Sequence, residues 1–140
     1  NPKHFRKAEK KLAKAQRKLS SKKKGSKNRK RAIEKVNRLH TKVKNQRKDF
    51  AHKQSRKLVN KYDLIIYENL NIKAMVRNSH LSKSISDVSW AMLFGMLDYK
   101  AVEAGKLALD IAPHNTSQNC SQCGEKVPKP LSVRWHKCPF

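Results

Sequence analysis

Apolar residues near the start of the chain recur at helical spacings. Phe5, Ala8, Leu12, Ala15 and Leu19 alternate intervals of three and four, a narrow stripe of coiled-coil type. A second, less regular stripe runs through Ile33, Val36, Leu39, Val43, Phe50 and Leu58. The segment from Ser20 to Arg31 lies between them, and its Ser and Gly residues break the helix. The pattern predicts an antiparallel helical hairpin over residues 1–61 with a basic tip. Its second arm, about 30 residues at ~1.5 Å per residue, would be roughly 45 Å long.

The period changes after Tyr62. Asp63-Leu64-Ile65-Ile66-Tyr67-Glu68 reads as a short buried strand ending on a carboxylate, because it is apolar and partly β-branched. A polar loop through Asn69–Ser82 carries Lys73, Arg77 and His80. A third helix is predicted from Ser84 or Ser86 to Ala104, with Asp87 in its first turn and Gly105 as its stop, since Ser caps helix starts and Gly ends them. Lys106–Ile111 alternates as a second strand. Strand, helix and strand in this order imply an α/β class with a parallel pair and a right-handed crossover. Two strands make a poor sheet, so further strands are expected from sequence beyond this stretch or from another chain. The divisions are residues 1–61, 62–113 and 114–140. Asn1 is not an initiator methionine and Cys138-Pro139-Phe140 stops within a motif; a piece of something longer is expected.

Charge sharpens the first division. The chain has 34 Lys+Arg and 10 Asp+Glu, a net charge of +24. Residues 1–61 hold 25 basic and 3 acidic side chains, which leaves 9 and 7 for residues 62–140. So lopsided an arm repels itself unless a polyanion neutralises it. Its candidate nucleic-acid contacts are Arg17, Lys22, Lys23, Lys24, Lys27, Arg29, Lys30, Arg31, Arg47 and Lys48. A spacer hairpin is the blander alternative, although a spacer normally mixes Glu with its Lys. A ribosome-associated basic protein would also fit the charge. The longest strongly apolar run near a strand, Leu64-Ile65-Ile66-Tyr67, falls far short of the roughly 18 residues of a membrane span. Nothing resembles a secretory signal, so a cytoplasmic, nucleoid-associated protein without membrane partners is expected.

Three cysteines, two in a Cys-x-x-Cys pair, suit a metal site better than a disulfide framework. Cys120-Ser121-Gln122-Cys123-Gly124 has the form of a zinc knuckle: two thiolates grip one ion while the glycine permits the reversal. Cys138 follows in the context Cys-Pro-Phe. A four-cysteine ribbon would place its fourth thiolate just after Phe140, and His136 or His114 are substitutes. Free structural cysteines are the alternative. Glu68, at a strand end where α/β sheets place functional groups, could hold Mg²⁺ for phosphodiester cleavage or be a solvated strand terminus. Asp63 and Asp110 read as structural.

Taken together, these residues resemble the TnpB (OrfB) family of insertion-sequence proteins, accessory transposases and RNA-guided DNA endonucleases related to type V CRISPR effectors. Gln16–Ser20, Lys24–Arg29, Asn45–Phe50 and His52–Ser55 match its basic hairpin and the segment after it. Glu68-Asn69-Leu70-Asn71 matches the motif bearing its second catalytic carboxylate, Ile85–Trp90 and Tyr99–Ala101 its next helix, and Thr116–Gly124 its zinc ribbon. The resemblance implies part of a RuvC-like, ribonuclease H-like fold interrupted by the hairpin and by an incomplete ribbon. It implies Mg²⁺ on Glu68 and two further acids that do not map onto these residues. It also implies Zn²⁺ on Cys120, Cys123 and Cys138, and DNA and a guide RNA as partners. Metal-dependent cleavage is expected only of a complete protein; a non-catalytic DNA- or RNA-binding remnant is the alternative.

Overall fold

The computed structural model describes residues 2–130 and 132–140. Helix α1 (His4–Ser20) and helix α2 (Lys27–Lys61) form the hairpin. The hydroxyl of Ser26 accepts the Arg29 N–H at 3.1 Å and starts α2, a side-chain cap on an otherwise orphaned donor. Lys27, Arg29, Lys30 and Arg31 therefore belong to the helix and not to a loose tip. The turn proper is residues 21–26, with Gly25 at φ 81°, a conformation glycine adopts without steric cost. The Arg29 guanidinium spans it, donating to the carbonyls of Leu19 and Lys22 at 3.2 Å each.

Leu12, Ala15, Val36 and Val43 are buried along the hairpin seam. Ile33 stays 39 % exposed and lies off it. Helix α2 then runs on past the seam, burying Ala51, Ser55 and Val59 against helix α5 (Trp90–Glu103). The second sequence stripe runs through large apolar residues; the lower half of α2 instead buries mostly small ones.

Strands β1 (Leu64–Glu68) and β2 (Leu107–Ile111) pair in parallel, with Leu64 opposite Leu107 and Glu68 opposite Ile111. Side chains alternate across a strand. Ile65 and Ala108 accordingly pack with Val59, Leu97 and Ala101 in the core. Leu64, Ile66, Leu107, Leu109 and Ile111 occupy the other face and are 43–60 % exposed. Gly105, at φ 64°, ends α5 in a Schellman turn: Lys106 N–H bonds to Ala101 O and Gly105 N–H to Val102 O.

Three details differ from the sequence expectation. The strand expected to be buried has no buried residue, because one face of the two-stranded pair is uncovered: Leu64 and Ile66 are exposed and Ile65, Tyr67 and Glu68 half-buried. The loop after Glu68 contains a short helix, α3 (Ile72–Val76), capped by Asn71 Oδ1 accepting the Ala74 N–H at 3.0 Å. The single helix expected to end at Ala104 is two, α4 (Ser82–Val88) and α5, broken at Ser89 with φ 59°.

That break re-aims Asp87. It lies in the last turn of α4 rather than in the first turn of a longer helix, and its side chain is 1 % exposed. It accepts Phe5 N–H at 2.8 Å and Arg6 N–H at 3.4 Å, the otherwise uncapped start of α1. Arg47 of α2 adds two bonds to Oδ1, at 3.1 and 3.0 Å. One carboxylate thus ties α1, α2 and α4 together. Lys100 has an analogous role lower down. It is 4 % exposed and donates to His52 O at 2.8 Å and Ser55 Oγ at 2.7 Å. Burial pushes its pKa down, aided by nearby Arg56 and opposed by Glu103.

Candidate metal centre and nucleic-acid interface

The cysteine segment follows β2. Gly124 N–H bonds to Cys120 O, and Cys120 N–H to Glu125 O, both at 2.9 Å. Gly124 adopts φ 76° and closes the turn. An antiparallel bridge between Asn119 and Lys126 continues it. The sulfurs of Cys120, Cys123 and Cys138 lie within 4.8 Å of one another, and Cys123 Sγ is 3.6 Å from Cys138 Sγ.

Those distances suit an ion. Zinc–sulfur bonds of about 2.3 Å in a tetrahedron separate the sulfurs by about 3.8 Å. Backbone N–H groups of Cys123 and Gln122, outweighing burial, lower the Cys120 thiol to about 6. Its thiolate, the form that binds metals, is therefore accessible near neutrality. The Cys138 thiol is raised, with the Phe140 contact opposed by burial and by its cysteine neighbours. Among the described residues the cluster is three sulfurs, and neither His114 nor His136 joins it.

Glu68 ends β1 at the carboxyl edge of the parallel pair. Its Oε1 accepts the Thr116 hydroxyl at 2.5 Å, which tethers the approach to the cysteine segment to the strand end. Asp110 is one register step away, opposite Tyr67, and so points to the other face. It accepts Asn69 Nδ2 at 2.6 Å. Asp63 pairs with Lys106 at 3.2 Å. Among the described residues no three-membered cluster includes Glu68.

The ten basic candidates do not share one environment. Arg29 and Arg47 spend their guanidinium bonds on the protein itself. Lys22 and Arg31 line a groove between the two hairpin helices. Arg17, Lys23, Lys24, Lys27, Lys30 and Lys48 are exposed elsewhere. The candidates read from sequence omit Lys11, Lys14, Lys18 and Lys35, which line the same groove. Their spacing beside the apolar stripe is the available signal, since residues three and four apart share a helix face.

Residues 1–79 match the family model OrfB_IS605, described as "Probable transposase". The chain belongs to this family. Residues 90–140, which include α5, β2 and the cysteine turn, match the Cas12f1-like TNB domain. A Streptomyces pristinaespiralis protein named "Putative RNA-guided DNA endonuclease" is 41 % identical over 99 % of the chain, which covers 35 % of that protein. Escherichia coli "Putative RNA-guided DNA endonuclease InsQ" is 33 % identical over 86 % of the chain and 34 % of its own length. A TnpB-like protein of Methanocaldococcus jannaschii is 30 % identical over 69 % of the chain and 23 % of its own length. The chain therefore spans about a third, or less, of the length of these relatives. Among the described residues no helix is long and apolar enough to cross a membrane.

Proposed function

We propose that this chain is part of an RNA-guided DNA endonuclease of the TnpB type, built around a RuvC-like core. In this reading residues 1–61 grip DNA and guide RNA, and residues 62–113 supply strands and helices of the nuclease. The turn at residues 114–140 is a ribbon holding Zn²⁺ through Cys120, Cys123 and Cys138. The alignment with the Streptomyces relative along nearly the whole chain is the observation that carries it. The uncovered apolar face of the strand pair fits a further layer packed on it in a larger core.

Glu68 is the proposed catalytic carboxylate. A Mg²⁺ ion held there would stabilise charge on the oxygens of a cleaving phosphodiester. This chain's own contribution is to fix Glu68 on a strand end and orient its carboxylate by the Thr116 hydroxyl. A two-metal site needs more carboxylates than the one this edge presents. The 140 residues alone should therefore not cut DNA. A non-catalytic DNA- or RNA-binding remnant is the second reading.

The test is a chimera in which this chain replaces the aligned third of the Streptomyces relative. Guided Mg²⁺-dependent cleavage should survive the graft, and Glu68→Gln should lower it by at least about 100-fold, the equivalent of several kcal/mol of charge stabilisation. A graft that cuts equally well with and without the Glu68→Gln change would remove Glu68 from the chemistry. A graft that binds without cutting, while the unaltered relative cuts, would leave the second reading.

A further inference from the structure

The hairpin's charge is sorted between its faces. On α1, Lys11, Lys14 and Lys18 border the groove, with Lys22 at its turn end; on α2, Arg31 and Lys35 face them, and a second pocket that shares Lys11 and Leu39 carries the α2 row on to Lys42. The floor between the rows is aliphatic, formed by Ala15, Ala32 and Leu39. Among the described residues no acid lines it. The arm's three acids are paired elsewhere, Glu9 with Lys83 at 2.7 Å, Glu34 with Arg38 at 4.0 Å and Asp49 with Lys53 at 2.8 Å.

We infer that this groove, and not the outer faces of the hairpin, is the seat of a double-stranded nucleic acid, bound by its phosphate backbone. The inference rests on the nucleic-acid reading above and says which face and which form. From Arg31 to Lys42 the α2 row covers about 16 Å at ~1.5 Å per residue. A duplex rises ~3.4 Å of axis per phosphate on each strand, so the row spans the axial length of about five base pairs. The seam of Leu12, Ala15 and Val36 beneath holds both rows rigid, which suits a stiff helix better than a flexible strand.

Composition excludes the usual single-strand platform. Such sites stack bases on exposed aromatic side chains. The only Phe, Tyr or Trp residues of the arm are Phe5 and Phe50. Both are half-buried, Phe5 under Arg47 and Phe50 edge-on to His4, and neither lines the groove. Without base contacts the recognition is of backbone and shape, independent of sequence.

Two fourfold variants of the full chain test this. One changes Lys14, Lys18, Arg31 and Lys35 to Gln. The other changes Lys10, Arg17, Lys30 and Lys48, which are equally exposed and lie outside the groove. Both remove the same charge, and relieving self-repulsion should leave helix content intact by circular dichroism. Binding is read by fluorescence anisotropy over a salt series, on a DNA duplex of about 20 base pairs and on its single strand. The groove variant should lose about 100-fold in duplex affinity near ~150 mM salt, and its log–log salt slope should fall by about three to four. The outer variant should lose less than about tenfold, and the native chain should prefer duplex to single strand. Equal losses in the two variants, or no preference for duplex, would overturn the groove assignment while leaving nucleic-acid binding in place. Failure of the native chain to bind either probe would remove the nucleic-acid reading itself.

Discussion

Replacing Cys120 with Ser should leave the cysteine segment unable to hold a metal, while the hairpin and strand pair keep their stability. The segment has little else to order it. Among the described residues from 114 to 140, Cys120 alone is buried, and one antiparallel bridge, Asn119 to Lys126, is its only ladder pairing. With so little apolar surface removed from water, metal binding must provide most of the folding energy, as in small zinc modules generally. The Cys120 thiol is also lowered to about 6, chiefly because the N–H groups of Cys123 and Gln122 point at it. Hydroxyl oxygen is a poor substitute for thiolate on a soft-leaning ion. Zinc affinity, measured by competition with a chelator, should fall on the order of 100-fold or more. Hydrogen exchange gives the structural half. Zinc should protect the Cys120 and Gly124 amides in the native chain and do nothing in the variant, with the amides of α5 unchanged in both. Unaltered zinc affinity would contradict the assignment of the three sulfurs to one ion. Loss of α5 protection would show that the cysteine turn props up the core.

Features whose cause is local are legible in the sequence. The stripe on α1 needs only the 3.6-residue period, and Leu12 and Ala15 are where it puts them. The strand Leu64–Glu68 and its parallel partner follow from a short apolar run and a helix-length separation. The Cys-x-x-Cys-Gly turn carries its own geometry. What is hidden depends on partners far along the chain. Ser-rich neighbours suggest that Asp87 opens its own helix, yet it serves the start of another helix 82 positions away. No local pattern announces that contact, although α1 offers a hint: its first turn holds no acid and Lys3 makes no side-chain cap. An uncapped helix start buried against other elements must find an acceptor somewhere. The lower half of α2 is hidden differently. Ala51 and Ser55 are among its buried residues, and small or polar residues make no stripe. Lys100 explains Ser55: its ammonium needs oxygen acceptors in the interface, so one buried polar residue implies the other.

Asp87→Ala should be the most destabilising single change in the helical part of the chain. The carboxylate is 1 % exposed and serves two backbone N–H groups and a guanidinium that is itself only 20 % exposed. Removing it leaves Arg47 charged and partly buried without its partner, and reopens the start of α1. Breaking a buried pair in this way costs about 3–5 kcal/mol, of which the lost helix cap contributes about 1 kcal/mol. Asp87→Asn retains an acceptor oxygen but not the charge, and should fall between. Acid pH probes the same contact without mutation. Burial raises the Asp87 carboxyl, but the bonds from Phe5 N–H, Arg47 and Arg6 N–H outweigh it, so the folded value lies below the ordinary 3.8. A depressed carboxyl stabilises the fold when ionised, above its unfolded value. That contribution is therefore present at neutral pH and is lost as pH falls from about 4 through the folded value. Urea unfolding of the native chain should weaken across that window more than unfolding of Asp87→Asn, which has no proton to take up there. Hydrogen exchange localises the effect: the Phe5 and Arg6 amides should lose protection in Asp87→Ala while those of Leu97 and Ala101 lose it only through global unfolding. Equal acid sensitivity in the native chain and Asp87→Asn would mean that Asp87 is not the carboxylate holding α1, α2 and α4 together.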